Sequence, residues 1–334
     1  MLASRKIISI LTVLGVAFTL PVFAETQESD SETTMKMEDV KTKKTKDIDN
    51  EITNKKLRAE LGSKSKYSMS SLISYYGGAI NQPFSKDRPN LSNEPVAPAV
   101  RLTGRVSGRY RINPRSSVTA GIGVGIVQPF HEAQENIGHN NYMDKAEVDD
   151  PTLGYSYAQK VGDLQVIYSA DYTYFTNDRD TAVNKVNDLW LGTTVLGSIG
   201  ASKKLQVGLA GYVSGAYFDG TSAVVEGVRK DVQAKQADYG VWLYPFVEYV
   251  FNDTFNFRTV FRQMQFVHKR NFDDASDLYR YEGDQSVGLG ISVSRDIFLY
   301  PNFQFSTENL SFKFLGEDFA KQSTVGLNAT INMF

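Results

Sequence analysis

The stretch Ser117-Val118-Thr119-Ala120-Gly121-Ile122-Gly123-Val124-Gly125-Ile126 alternates apolar with small or polar residues without a break. Successive side chains of a strand point to opposite faces, so Val118, Ala120, Ile122, Val124 and Ile126 share one face and Thr119, Gly121, Gly123 and Gly125 the other. The same alternation returns with Val287, Leu289, Ile291 and Val293 against Ser286, Gly288, Gly290 and Ser292, and again with Leu205, Val207, Leu209 and Val213 on one face. About a dozen such segments run from Tyr67 to Phe334. A closed sheet with lipid outside and water or polar side chains inside needs this pattern in every strand. The fold predicted is therefore all-β, a transmembrane antiparallel up-and-down barrel of about twelve strands over residues 66–334. The inner-face glycines have two readings, relief of crowding in a narrow barrel or widening of a pore.

A hydrophobic content of 41% and a mean hydropathy of −0.31 would suit an ordinary soluble protein. Barrel strands need only about ten residues each, half of them polar, so they escape averages tuned to helical spans. The one continuous apolar run, Ile7 to Phe23, follows Arg5 and Lys6 and ends at Ala24, which reads as a cleaved secretory signal peptide over residues 1–24. Its removal takes the formal charge from −2 to −4, because Arg5 and Lys6 leave with it. So mild an acidity carries no nucleic-acid footprint. The absence of cysteine excludes disulfides, thiolate metal sites and a cysteine nucleophile. The 18 Tyr and 20 Phe suit membrane interfaces, where a ring sits half in lipid and half among headgroups.

Residues 25–65 read as a polar extension, disordered to residue 46 and then a short helix near 47–61, with Asn50 as N-cap and Gly62 as stop signal. Few of its residues are apolar, so the helix is expected to be exposed; the sharper alternative is a plug that enters the barrel from below. Short turns are predicted at Asn113-Pro114-Arg115, Val161-Gly162-Asp163, Ala201-Ser202-Lys203, Asn252-Asp253-Thr254 and Arg295-Asp296, with long polar loops between them. Short turns at one end and long loops at the other are the asymmetry of outer-membrane barrels. The final segment, Thr324 to Phe334, ends in an aromatic residue, although Val325, Leu327, Ala329, Ile331 and Met333 have the opposite parity to Phe334. On these features the chain resembles the bacterial outer-membrane β-barrel proteins, porin-like in class, over nearly all its mature length. That resemblance implies the outer membrane of a Gram-negative bacterium, both termini in the periplasm, and Phe334 as the assembly signal. It also implies outer-membrane lipids, lipopolysaccharide and the barrel assembly machinery as partners. No cofactor is expected.

Val100, Leu102, Val106, Tyr110 and Ile112 share one face of the second strand, which leaves Arg101, Arg105, Arg109 and Arg111 on the other. Charge on the lipid face at mid-bilayer is costly, so this ladder is predicted to face the lumen. Parity adds Lys160, Arg258 and Arg262, with Asp171 and Glu248 as inward acids. Two readings compete. The cations line a narrow water-filled pore that prefers anions, or they reach across to Asp171, Glu248, Glu51 and Glu60 and close the interior with ion pairs. The three histidines, His131, His139 and His268, fall in or beside loops without a convincing partner, and no enzymatic activity is expected. Asp144, Glu147, Asp149, Asp150, Asp178 and Asp180 read as solvated loop acids rather than a calcium site. The function expected is passive diffusion of small, anionic solutes through an Arg-lined lumen; the alternative is a structural or surface-interaction barrel with a closed lumen.

Overall fold

The computed structural model describes residues 47–89, 91, 99–132, 146–225, 228–262, 264–280, 284–306, 319–320 and 323–333. The leader, the tail to residue 46, His139, Asp144 and Phe334 lie outside the described residues. The alternating segments form β1 (Tyr67–Ala79), β2 (Arg101–Asn113), β3 (Ser116–Val127), β4 (Ala146–Val161), β5 (Leu164–Tyr174) and β6 (Lys185–Ile199). The second half comprises β7 (Leu205–Phe218), β8 (Ala237–Val250), β9 (Phe255–Arg262 and Met264–Lys269), β10 (Asp284–Ser292), β11 (Ile297–Ser306) and β12 (Ser323–Met333). Both parts of β9 pair with β8, and each strand is antiparallel to its chain neighbours. β12 pairs with β1 from Met69↔Met333 to Ala79↔Thr324, closing twelve strands into a barrel without an edge.

The five predicted short turns connect strands at one end, and long connections lie at the other. The short turn between β4 and β5 depends on Gly162, whose φ of 60° is the left-handed conformation glycine adopts freely. In β4, Asp150 takes φ 56° ahead of Pro151, and the register with β3 shifts between Gly121 and Gly123. Proline has no N–H for the ladder, so this bulge is where a paired strand accommodates it.

The outer face is the apolar one: Val118, Ile122, Leu205, Val207, Leu209 and Leu289 are all exposed. The buried side chains include many polar ones, among them Ser107, Gln165, Gln206, Thr330 and Asn332. That inversion of a soluble protein is the expected state of a barrel whose outer solvent is hydrocarbon. Exposed aromatics gather toward both rims, with Tyr67, Tyr110, Tyr249 and Phe251 at the short-turn end and Tyr172, Tyr174, Tyr217 and Tyr239 at the long-loop end.

The apolar core lies inside the barrel, and the N-terminal segment builds it. Residues 47–61 are not the exposed helix expected from their polarity. They form two short helices, α1 (Ile48–Glu51) and α2 (Lys55–Glu60), joined by extended backbone. Ile48, Ile52, Leu57 and Leu61 pack on Ala158, Leu196 and Phe246 of the wall, and Ala59 packs on Phe298 and Tyr300. Burying an Ile or Leu completely is worth roughly 1.5–3 kcal/mol, so a few such residues suffice to seat the segment. Asn50 is not a cap: Asp47 caps α1, and Asn54 caps α2 by accepting from the Leu57 N–H. Gly62, at φ 78°, ends the segment as expected.

Leu209 sits near the middle of β7 on the outer face. Leu209→Arg is expected to lower stability by about 2–4 kcal/mol in lipid, measured by reversible denaturant unfolding; an unchanged midpoint would contradict the assignment of this face.

Candidate functional site

The lumen changes character along its axis, and the ladder on β2 records the change. At the short-turn end, Arg109 donates to the carbonyls of Leu61 and Glu60, and Arg111 to those of Ser63 and Gly62. Arg295, in the turn between β10 and β11, donates to the Gly62 carbonyl at 2.8 Å and to the Asp49 carboxylate at 2.9 and 3.0 Å. The last carbonyls of a helix lack partners within it, so the three guanidinium groups satisfy the end of α2 and the turn after it.

At the same end, the seat of the segment is a network around Glu248, which is 1% exposed. Arg258 donates to one carboxylate oxygen. Asn54 and Asn256 donate to the other at 2.8 and 3.1 Å. Asn54 also donates to Gln206 at 2.8 Å, while Gln165 accepts from the backbone N–H groups of Thr53 and Asn54 at 2.7 and 2.8 Å. Further anchors are Arg115 to Glu51 at 2.7 Å and Asn332 to the Ala59 carbonyl at 2.7 Å. Together these contacts reach the wall at β2, β5, β7, β8 and β12, and the packing adds β4, β6 and β11. The segment is thus a plug held from most sides.

Above the plug the lumen is wet. Arg105 meets Asp171 at 3.1 Å, and the two side chains are 28% and 30% exposed, whereas Ile52 and Leu196 below are 0% exposed. The pair spans β2 to β5, and glycines on the inner faces of β3 and β4 provide the room: a Cβ on Gly154 would stand 2.8 Å from the Asp171 Oδ1. Toward the long-loop end, Arg101 and Arg88 lie 5.4 and 5.1 Å from the centre of the Tyr76 ring. Arg262 holds Asp284 with two bonds of 2.6 and 2.8 Å. An aromatic wall faces the lumen on β6 to β8, where Trp190 and Trp242 have ring centres 4.3 Å apart and Tyr212 and Tyr244 5.9 Å apart.

Of the residues assigned to the lumen, Arg105 with Asp171 and Arg258 with Glu248 are ion pairs, while Arg109 and Arg111 bind the plug. Lys160 stands apart from the ladder. Its parity is inward, but it lies at the short-turn rim, exposed, 3.9 Å from Asp163. Glu60 and Glu51 do not meet the ladder either: their carboxylates pair with Lys56 and Arg115. Sequence reasoning missed Asn54, Gln165, Gln206 and Asn256. A signal existed, since Gln165, Gln206 and Asn256 each directly follow the apolar residue that opens β5, β7 or β9, which places three amides at one height.

His131, and His268 within β9, are engaged locally. His131 bonds the Phe84 carbonyl at 2.7 Å, and His268 stacks on Tyr239 with ring centres 4.8 Å apart. Among the acids, Asp150 accepts from the backbone N–H groups of Thr176 and Asn177. No cluster of three metal-ligating side chains occurs among the described residues.

No protein-family model matches the chain, and no curated protein matches it in sequence. Among solved structures it is similar to an outer membrane channel from Pseudomonas putida F1, at 10% identity and a TM-score of 0.46 over 82% of this chain and 97% of that one. It is also similar to the KdgM porin in complex with disordered oligogalacturonate, at 8% identity and a TM-score of 0.39 over 80% and 98%.

Two expectations concern the plug seat. Arg258→Met leaves the Glu248 charge buried with amides alone and is expected to cost about 3–5 kcal/mol in unfolding; a loss under 1 kcal/mol would show the pair to be dispensable. The contacts of Asp47 and Asp49 with Lys64 and Arg295 also titrate. Burial pushes the Asp49 carboxyl up, but hydrogen bonds from Arg295 and Lys64 outweigh it and hold the group below its ordinary value of 3.8. Asp47 is likewise lowered, by Lys64 and the Asp49 N–H. A lowered carboxyl contributes its full hold above the ordinary value and loses it as pH falls through the lowered one. Protease sensitivity of residues 47–63 is therefore expected to stay flat down to about pH 4 and rise below it, whereas Arg295→Met is expected to raise the sensitivity already at neutral pH and to shrink the further rise below about pH 4.

Proposed function

We propose that this barrel is an outer-membrane channel of the porin type, shut by its own N-terminal segment, that passes small anionic solutes when the segment leaves the lumen. The observation that carries this reading is the wet Arg105–Asp171 level above a dry plug. A barrel with a purely structural interior has no need of a solvated upper half, and a permanently open pore has none of a plug. β1 begins and β12 ends at the short-turn end, so that end faces the periplasm and the long loops face outward, as in barrels with an even strand number. Outer-membrane lipids, lipopolysaccharide and the barrel assembly machinery are the partners this placement calls for.

Anion preference follows from what opening exposes. While the plug is seated, Arg109 and Arg111 spend donors on its carbonyls, and Arg295 on the Gly62 carbonyl and Asp49 as well as on its wall neighbour Asp296 at 2.6 Å. When it withdraws, Arg109 and Arg111 stand in the lumen beside Arg105 and Arg101, and the fixed positive charge along β2 attracts anions and repels cations. The barrel is narrow at twelve strands, so solutes are small and pass by diffusion. The alternative, a closed structural barrel, is favoured by the Glu248 network, which ties the segment to several strands.

Single-channel recording in planar bilayers tests the reading. The mature chain is expected to be mostly silent, and the chain lacking residues 25–62 to conduct steadily with an anion-preferring reversal potential in a salt gradient. In that background Arg105→Ser with Arg109→Ser is expected to shift the reversal potential toward cations. Silence of the correctly folded truncated protein would overturn the channel reading in favour of the closed barrel.

A further inference from the structure

A cleft of about 340 Å³ opens at the short-turn end, where the plug meets the wall. One side is plug residues 53–55 and Arg58; the other is the turn between β6 and β7 with the adjoining ends of β7, β8 and β9. Four cations line it, Lys55 and Arg58 from the plug, and Lys203 and Lys204 from the turn. The two acids that also line it do not balance them. Glu248 is already committed to Arg258, Asn54 and Asn256, and Asp253, fully exposed, lies 3.2 Å from Lys55. Arg58 gives one guanidinium N–H to the Thr53 carbonyl at 3.2 Å, but its Nε is a buried donor without an acceptor. Neither Lys203 nor Lys204 pairs with a carboxylate among the described residues.

Like charges thus face each other across a seam that closes the channel. Such an arrangement weakens the seam unless something negative fills it, and a buried guanidinium N–H without an acceptor is costly in the same way. The rest of the lining offers donors suited to oxygen: the Gln206 and Asn256 amides and the hydroxyls of Ser202 and Thr254. We propose that this cleft binds a small multivalent oxyanion, a phosphate or a compact polycarboxylate, which bridges Lys55 and Arg58 of the plug to Lys203 and Lys204 of the wall. The site itself stands on the cleft and its cations; its effect on permeation rests on the channel reading above. An anion that binds only the seated plug stabilises the closed state by mass action, so a concentration 100 times its dissociation constant lowers the unseated population about 100-fold. Periplasmic solute composition would then set how readily the channel opens.

The test uses the mature full chain in detergent, with inorganic phosphate and citrate as probes and chloride at matched ionic strength as control. Calorimetry is expected to show one saturable site for phosphate or citrate, and both anions to slow proteolysis of residues 47–63 at least 10-fold relative to chloride. Lys203→Gln with Lys204→Gln, on an exposed turn, is expected to abolish binding and protection, and Arg58→Gln to weaken both. Equal protection by chloride, or undiminished binding in the double variant, would overturn the proposal. So would protection by phosphatidylglycerol vesicles without binding of either soluble anion, which would assign the cleft to lipid headgroups. Calorimetric binding does not depend on conductance: a bound anion with a silent truncated barrel would keep the site and remove the channel, whereas a conducting truncated barrel without anion binding would do the reverse.

Discussion

A carboxylate without water must be given hydrogen bonds and an opposite charge, and Glu248 is where this molecule meets that demand. Its partners come from separate parts of the chain, Arg258 and Asn256 from β9 and Asn54 from the plug. Removing Arg258 leaves the charge stranded at 1% exposure, a penalty larger than the net worth of the pair itself, and removing either amide costs it a hydrogen bond. Asn54 in turn is fixed by Gln165 through the backbone of Thr53 and Asn54. The plug therefore has one seat and one register. Apolar contacts around Ile52 and Leu57 supply attraction, but the polar network selects the position.

Along β2 the same residue type does different work at each height. Arg111 and Arg109 serve as donors to a helix end, Arg105 forms a solvated ion pair, and Arg101 lies against an aromatic ring. Arginine suits all these surroundings because its charge persists under desolvation and its planar fork offers several donors in fixed directions. The dry half of the barrel behaves as the core of a small soluble protein, while the wet half keeps the properties of a lumen. The boundary between them is set by the length of the plug.

The strands and the short turns were legible in the sequence because each depends on local periodicity. Val118 to Ile126 cannot lie in a closed sheet without sorting its faces, and Gly162 marks its turn by itself. The plug was legible only as the alternative to an exposed helix. Ile48, Ile52, Leu57 and Leu61 are separated by charged residues and lie on no single helical stripe, and what makes them a core is Ala158, Leu196 and Phe246, each on a different strand more than ninety residues away. Lys160 shows the limit of parity from the other direction. Alternation gives the face on which a side chain lies but not its height, and a residue at the rim shares its parity with one in the constriction. The ring of Gln165, Gln206 and Asn256 needed one step more, the comparison of strand starts at equal height.

Only Leu61 to Lys66 separate the end of α2 from the start of β1. Six residues reach about 20 Å at most. A plug that leaves its seat is therefore leashed within a small volume below the mouth, at an effective concentration in the millimolar range or above. On the proposed channel reading, reclosure would be a first-order event, indifferent to how many copies of the protein the membrane holds. Openings would then be bounded in duration by the leash, and a lengthened linker would prolong each open interval without altering a single contact of the closed state.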